Sequence, residues 1–215
     1  MAKKSVMPTL AIIILASLLA NCSPGYKLDP QFRAVSPTHR TIALLPPAIS
    51  IPEKRIPPGL TPEGVERIHG EKALALQSRL FSRFLERQQY KKYSVEFQDI
   101  ELTNALLAKA DLTDSARAAD PHVLCETFGV DAVLLVDIRQ TSRGSKKLAE
   151  VMGKLGLSSG TNRIYINSRI MDCATGRVLG EFKGEGEGDL MLSPIRLPEI
   201  KFNNIVDKFP YKRLK

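Results

Sequence analysis

Several residue types are scarce or absent, and each absence narrows the classes of protein that fit. The chain of 215 residues has no tryptophan, three cysteines and three histidines. Three cysteines are too few for a disulfide-rich scaffold, and His39, His69 and His122 show no metal-ligand spacing with cysteine or with each other. No apolar run reaches the ~20 residues that a bilayer-spanning helix needs. The sequence therefore predicts no metal, no cofactor and no spanning helix.

Motifs that carry catalysis are also lacking. Gly184–Gly188 is glycine-rich, but it follows a predicted hairpin and its glutamates would repel phosphate. Ser142 and Ser145 lack the setting of a nucleophile elbow. Asp131 and Asp137 border a predicted strand, where a carboxylate is usually satisfied by hydrogen bonds. We therefore predict that the protein is not an enzyme; the alternative is a hydrolase whose catalytic residues are scattered along the sequence.

The first residues of the chain have the features of an export signal. Met1–Lys4 is short and basic, and Leu10–Ala20 is apolar apart from one serine. This run has about half the ~20 residues that cross a bilayer, which favours a cleaved signal over a spanning helix. We predict a lipoprotein signal peptide over residues 1–21.

Cys22 ends this segment and is the predicted site of lipid attachment. Leu19, Ala20 and Cys22 resemble a bacterial lipobox. Asn21 departs from the usual Gly or Ala, and Ser23 is not the aspartate typical of inner-membrane retention. We therefore expect a lipid anchor in the cell outer membrane, on its periplasmic face, because two or more acyl chains give stable anchoring. The alternatives are an ordinary secretory signal, or an uncleaved anchor in which Cys22 is incidental.

The chain is basic, with a net charge of +8. Such a balance suits anionic phospholipid headgroups or other acidic surfaces, and the predicted secretion argues against nucleic acid as a partner. Arg79, Arg83 and Arg87 fall at i, i+4 and i+8 of a predicted helix and share one face. This is a candidate basic contact face for phosphate-bearing lipid or an acidic protein. The alternative is an ordinary solvated helix face.

The two remaining cysteines, Cys125 and Cys173, would lie in an oxidising compartment if the chain is secreted. Their separation in sequence says nothing about their distance in the fold. We expect two buried thiols, because free cysteine behaves as a small hydrophobic residue. A disulfide between them is the alternative.

Hydrophobic periodicity predicts an α/β fold: a mixed sheet of about five strands flanked by helices, with a C-terminal β-hairpin and a final helix. Residues 22–39 are read as a proline-rich tether, and residues 40–215 as a single domain. The predicted strands are Thr41–Leu45, Tyr93–Phe97, Asp131–Ile138, Arg163–Asp172 and Val178–Glu185. The predicted helices are Pro62–Gln88, Ile100–Ala110, Pro121–Phe128 and Pro198–Lys208, and residues 48–62 are predicted to be a loop. Thr61 is the predicted cap of the first of these helices, whose apolar stripe includes Leu80 and Phe84. Leu102 and Val123 are predicted to face inward in the next two helices.

Residues 141–161 differ from the rest of the predicted domain because they contain four glycines with several lysines and serines. We interpret this segment as a glycine-rich insertion between two strands. It is either a partner-binding or membrane-touching flap, or a short helix that lies on the sheet.

Three segments carry a resemblance to a known superfamily: Thr41–Pro47, Leu124–Val136 and Ile170–Val178. They resemble the α/β domain shared by the curli-secretion channel lipoprotein, the TolB N-terminal domain, the outer-membrane activators of penicillin-binding proteins and a related lipoprotein family of unknown role. The resemblance implies a periplasm-facing lipoprotein that works through protein contacts. We do not expect a channel, since no pair of membrane-spanning hairpins is found outside the predicted sheet.

Together these features predict an outer-membrane-anchored lipoprotein that acts as a non-enzymatic binding or assembly factor in the bacterial envelope. Its expected partners are the membrane, through acyl chains on Cys22, and other envelope proteins. The alternative is a subunit of an oligomeric export or secretion apparatus, which would make the protein a homo-oligomer.

Overall fold

A computed structural model of the chain describes residues 25–51, 59–112, 120–142, 162–187 and 196–212. It confirms the predicted α/β class: a mixed sheet of seven strands packs against helices. The strands are β1 (Lys27–Leu28), β2 (Thr41–Leu44), β3 (Ala48–Ser50), β4 (Glu96–Phe97), β5 (Ala132–Ser142), β6 (Asn162–Asp172) and β7 (Val178–Glu187). The helices are α1 (Phe32–Val35), α2 (Pro62–Gln89), α3 (Ile100–Lys109), α4 (Pro121–Phe128) and α5 (Arg196–Asp207).

The sheet has the order β1-β7-β6-β5-β2-β4, and β3 pairs with the far end of β5. β2 runs parallel to β4 and β5, whereas β5, β6, β7 and β1 pair antiparallel in succession. The parallel pairs require helical crossovers, which α2 and α4 supply in the sequence before β4 and β5. β5 is central, and Val133, Leu134, Leu135 and Val136 along it are at most 2% exposed. A strand covered on both faces is nearly continuously apolar, which explains its sequence.

Helices cover both faces of the sheet. On one face, α2 and α5 bury the even-numbered apolar residues of β5 together with side chains of β2 and β6. On the other face, α3 and α4 pack over Val133 and Leu135. The two faces thus have separate apolar clusters, and the larger one lies under α2 and α5.

The first residues of α2 and α4 follow the capping preferences of helix N-termini. Thr61 Oγ1 accepts a hydrogen bond from the backbone N–H of Gly64 at 3.2 Å, and proline occupies the first turn of α2. Asp120 caps α4 in the same way through the N–H of His122. Gly129 ends α4 in the left-handed conformation, with φ of +63°, where a side chain would be strained.

The sheet has more strands than the sequence predicted. β1 was assigned to the tether, β3 to a loop, and β4 is shorter than the predicted strand at residues 93–97. Strands of two or three residues are too short to show an alternating pattern in the sequence. They are recognised only by the strands with which they pair. Two side chains predicted to face inward, Leu102 and Val123, are 50% and 46% exposed because their neighbours on α3 and α4 occupy the core positions instead.

Much of the predicted tether packs on the domain. Lys27 and Leu28 form β1 against β7, and Phe32 is buried with its ring centroid 5.1 Å from that of Tyr211. Residues 27–39 are therefore structured, and the prolines in this stretch begin turns rather than extend a linker. Within the predicted proline-rich tether, residues 22–39, the structure thus describes a short strand and a short helix that pack on the domain.

Three predicted features lie outside the described residues: the signal peptide over residues 1–21, Cys22, and residues 143–161 of the insertion. Within the part of the chain that the structure describes, no helix combines the length and the apolar character that crossing a bilayer requires.

Phe84 of α2 tests the packing of the larger cluster. Its ring stacks on that of Phe97 at 4.3 Å between centroids, and it is fully buried. We expect Phe84→Ala to lower the free energy of unfolding by about 3–5 kcal/mol, because it removes a large apolar side chain and leaves a cavity. On the same helix Leu74 is 49% exposed, so Leu74→Ala should change stability by only about 0.5 kcal/mol. Urea unfolding followed by circular dichroism measures both, and equal losses would contradict this packing.

Candidate functional site

The predicted basic face lies on α2, beside α5. Arg87 donates to the carboxylate of Asp207 on α5, with Nε and Nη2 at 2.9 and 2.8 Å from Oδ1. Arg83 contacts Glu86 at 3.3 Å on the exposed surface. Arg79, Arg83 and Arg87 all lie on the α5 side of α2, and acidic residues contact Arg83 and Arg87. Arg87 serves to join the two helices.

A shallow cavity of about 220 Å³ opens between α2 and α5 at this face. It is lined by Ser78, Arg79, Ser82, Arg83 and Phe202. The guanidinium groups and hydroxyls at its rim can donate to an anionic group, and Phe202 provides an apolar floor. Arg79 and Arg83 are therefore the part of the basic face that a ligand or partner can reach.

A second, larger cavity of about 370 Å³ lies near the β4 edge of the sheet. Its lining is polar and includes both charges, since Arg40 and Glu96 face it. Gln88 also lines it, and the Oε1 atom of this side chain is buried without a hydrogen-bond partner in the described structure. No pattern in the sequence indicates this cavity, because its walls come from three separate segments of the chain.

A cluster of three titratable side chains lies inside the domain, where sequence reasoning did not expect one. His39 Nε2 is 2.8 Å from Asp172 Oδ1, and His39 Nδ1 is 2.6 Å from the hydroxyl of Tyr211. An ionised carboxylate can only accept, so His39 Nε2 carries the proton of the first bond. Thr175 donates its hydroxyl and its backbone N–H to Asp172 Oδ2. The cluster joins the N-terminal segment, the β6–β7 turn and the C-terminal segment.

The electrostatics of this cluster follow from burial and hydrogen bonding. Burial alone raises the pKa of Asp172, but the hydrogen bonds from Thr175 and His39 outweigh it and hold this pKa below its usual value. Burial, with the nearby charge of Asp172, raises the pKa of Tyr211, which therefore stays a neutral phenol. The carboxylate is thus the stable charged member of the cluster.

A Tyr–His–Asp arrangement is similar to a catalytic relay, but the low solvent exposure of its three side chains argues against a catalytic role. His39, Asp172 and Tyr211 are 4%, 0% and 2% exposed. A general base must reach the substrate proton directly or through one water. These side chains face one another and the core, so we assign them to stability. Neither bond was predictable, because Asp172 and Tyr211 are 133 and 172 residues from His39 in sequence.

Cys125 and Cys173 form a disulfide, with their Cα atoms 5.4 Å apart. The expectation of two buried thiols was wrong. Cys125 lies on the inner face of α4, and Cys173 follows β6 directly at the start of the hairpin turn. α4 packs on the sheet beside that turn, which brings together residues that are 48 apart in sequence.

The other histidines do not build a site. His69 lies on α2, and His122 is in the first turn of α4, near Gly176. Among the described residues, no group of three or more His, Cys, Asp or Glu side chains is arranged to hold a metal ion.

Comparison with known proteins gives weak likenesses of fold. No family model matches the sequence, and no curated protein matches it significantly. Lipoprotein GNA1162 of Neisseria meningitidis aligns with 78% of this chain and 94% of its own, at 15% identity and a TM-score of 0.45. The alignment with a PelC chain from the dodecamer of Paraburkholderia phytofirmans covers 85% of this chain and 91% of PelC, at 10% identity and a TM-score of 0.39. The alignment with the LpoB C-terminal domain of Salmonella enterica covers 74% of this chain and 100% of that domain, at 11% identity and a TM-score of 0.34. At these values the neighbours assign neither family nor function.

Asp172→Asn tests the buried cluster. We expect it to lower the free energy of unfolding at neutral pH by about 1–3 kcal/mol. The reason is that an amide replaces the carboxylate that accepts both hydrogen bonds from Thr175. The unfolded carboxyl takes up its proton at a higher pH than the folded one. The stabilisation from Asp172 is therefore complete above about pH 4 and is lost as the pH falls further.

Urea unfolding between neutral and acid pH measures this effect. The variant should lose less stability on acidification than the wild-type protein. Asp207→Asn is the control: Asp207 forms a partly exposed ion pair, so its loss should cost less than about 1 kcal/mol. An unchanged acid dependence in Asp172→Asn would contradict the assignment.

The disulfide has its own test. The bond closes a loop of 48 residues, and removing a bond of this kind costs about 2–4 kcal/mol. We expect the double variant Cys125→Ser, Cys173→Ser to show this loss in urea, and reductant to lower the wild-type protein to the same value. A reductant with no effect on the wild-type midpoint would show that the bond is not formed.

Proposed function

We propose that this protein is a lipoprotein of the bacterial outer membrane, anchored by acyl chains on Cys22 with its domain in the periplasm. The observation that carries the proposal is the disulfide between Cys125 and Cys173. Disulfides persist in oxidising compartments and are rare in the cytosol. This agrees with the export signal and with Cys22 at the end of it.

We further propose that the domain acts by binding other envelope proteins, as an accessory or assembly factor, and not by catalysis. The most polar buried cluster, around His39 and Asp172, is closed to solvent and contributes to stability. The accessible features are surfaces: the cavity beside Arg79 and Arg83, and the polar cavity near Arg40. Basic side chains at the edge of an open cavity suit acidic groups of a partner protein.

A second candidate function is a subunit of an oligomeric export apparatus. One observation favours it: β1 pairs only with Gly180 and Glu181 of β7, and no other described strand covers the outer edge of β7 as far as Glu187. A bare strand edge can pair with another chain. The oligomeric state in detergent separates the two candidates, since a ring would favour the export apparatus.

Cys22→Ser tests the anchor. We expect the variant to lose incorporation of labelled fatty acid and to leave the membrane fraction, because the acyl chains are its attachment. Cys173→Ser is the matched control, since it removes a cysteine and the disulfide but leaves Cys22 intact. This control should remain labelled and membrane-bound. If Cys22→Ser stays in the membrane fraction to the same extent as the wild-type protein, the proposal fails.

A further inference from the structure

The described chain joins the domain at one edge of the sheet. Lys27 lies opposite Glu181 and Leu28 opposite Gly180, and the backbone N–H of Asp29 donates to the carbonyl of Leu179 at 2.9 Å. Tyr26, just before β1, packs on Phe182 and Phe209, and its hydroxyl lies within hydrogen-bond distance of Ser168. The chain is therefore held on the domain from Tyr26 onward, and any attachment point before it is separated from the domain by the connector, residues 22–25, alone.

This connector is short. Tyr26 is four residues after Cys22, and an extended chain spans at most ~3.3–3.6 Å per residue, so the two Cα atoms are at most about 14 Å apart. A domain of this size has a radius of gyration of about 15 Å, so this distance is well below its diameter. A lipid on Cys22 thus constrains which side of the domain meets the membrane, which a tether over residues 22–39 would not do.

We infer that the β1 edge of the sheet faces the bilayer, with anionic phospholipid headgroups against Lys27, Leu28 and Arg33. The inference rests on the proposed acylation of Cys22. The chemistry of the edge fits a membrane interface: Lys27 and Arg33 are exposed, and Leu28 is an apolar side chain with 41% of its surface exposed. The acidic residues near this edge include Asp29 and Glu181, and each has a basic neighbour. Arg177 lies 3.6 Å from the carboxylate of Asp29, and Lys183 lies 2.8 Å from that of Glu181.

The same geometry separates the α2 arginines from the membrane. A continuous row of paired residues runs across the sheet from Leu28 through Gly180, Ile170 and Leu134 to Leu44. Four strand spacings of ~4.8 Å make this row about 19 Å long. α5 packs on β6 and β7, whereas α2 packs on β3 and β4 at the far side. The basic face of α2 borders α5, so α5 and the strands beneath it lie between the arginines and the β1 edge. We therefore expect an acidic protein rather than phospholipid to contact this face.

Site-specific photo-crosslinking in cells tests this orientation. The probe is p-benzoylphenylalanine, placed at Leu28 in one full-length variant and at Arg83 in another, with phospholipids labelled metabolically. Both positions are surface positions on regular elements, which makes Arg83 the matched control. We expect the yield of lipid adducts at Leu28 to exceed that at Arg83 several-fold. A third variant with the probe at Lys27 repeats the measurement in case the Leu28 variant fails to fold.

Equal yields at Leu28 and Arg83, or a higher yield at Arg83, would overturn the inference. So would adducts from Leu28 and Lys27 that contain protein and no lipid. A flexible Gly-Ser insert of about twelve residues after Ser23 supplies a further check, because its r.m.s. length of ~20 Å frees the domain from the surface. The insert should reduce lipid adducts at Leu28 several-fold, and an unchanged yield would show that the connector does not set the orientation.

These outcomes remain distinguishable from a failure of the proposed function. If Cys22 carries no acyl chain, the anchor itself is wrong and the orientation has no basis. If Cys22 is acylated and Leu28 gives no more lipid adducts than Arg83, the anchor stands and the orientation alone is wrong.

Discussion

The antiparallel pairing of β1 with β7 is the constraint on which the rest depends. It fixes the start of the described chain on an edge of the sheet, and Phe32 and His39 of the following segment are then buried in the domain, His39 through its bond to Asp172. A pairing of two residues is weak alone. Phe32 against Tyr211, and the hydrogen bonds of His39, supply the burial that holds the segment in place. The membrane-proximal side of the domain follows from this docking.

Covalent and polar contacts meet at the β6–β7 turn. Asp172, at the end of β6, accepts from His39 and Thr175, and the next residue, Cys173, is bonded to Cys125 on α4. One turn thereby joins the N-terminal segment, a helix on the opposite face and the C-terminal segment. Its stability depends on an oxidising environment for the disulfide and on an ionised carboxylate for the hydrogen bonds. Both conditions are met outside the cytosol at neutral pH.

The sequence predicted the elements that have a long, regular pattern. The cap at Thr61 and the apolar stripe that includes Leu80 and Phe84 predicted α2. Apolar content and alternation predicted β5 and β6. β1 and β3 were missed because strands this short are defined by their partners. The disulfide and the His39 cluster join residues far apart in sequence, and a single sequence contains no measure of such distances. The helix that carries the three arginines was predicted, but the carboxylate of Asp207, supplied by α5, could not be foreseen.

The proposed attachment of an α/β domain to a membrane, through one modified cysteine and at short range, is the central claim. The most direct measurement is intact mass spectrometry of the mature protein purified from envelopes, with fragmentation of its N-terminal peptide. The claim predicts a chain that begins at Cys22 and carries acyl groups on that residue. A chain that retains residues 1–21, or a mature protein with an unmodified thiol at Cys22, would contradict it.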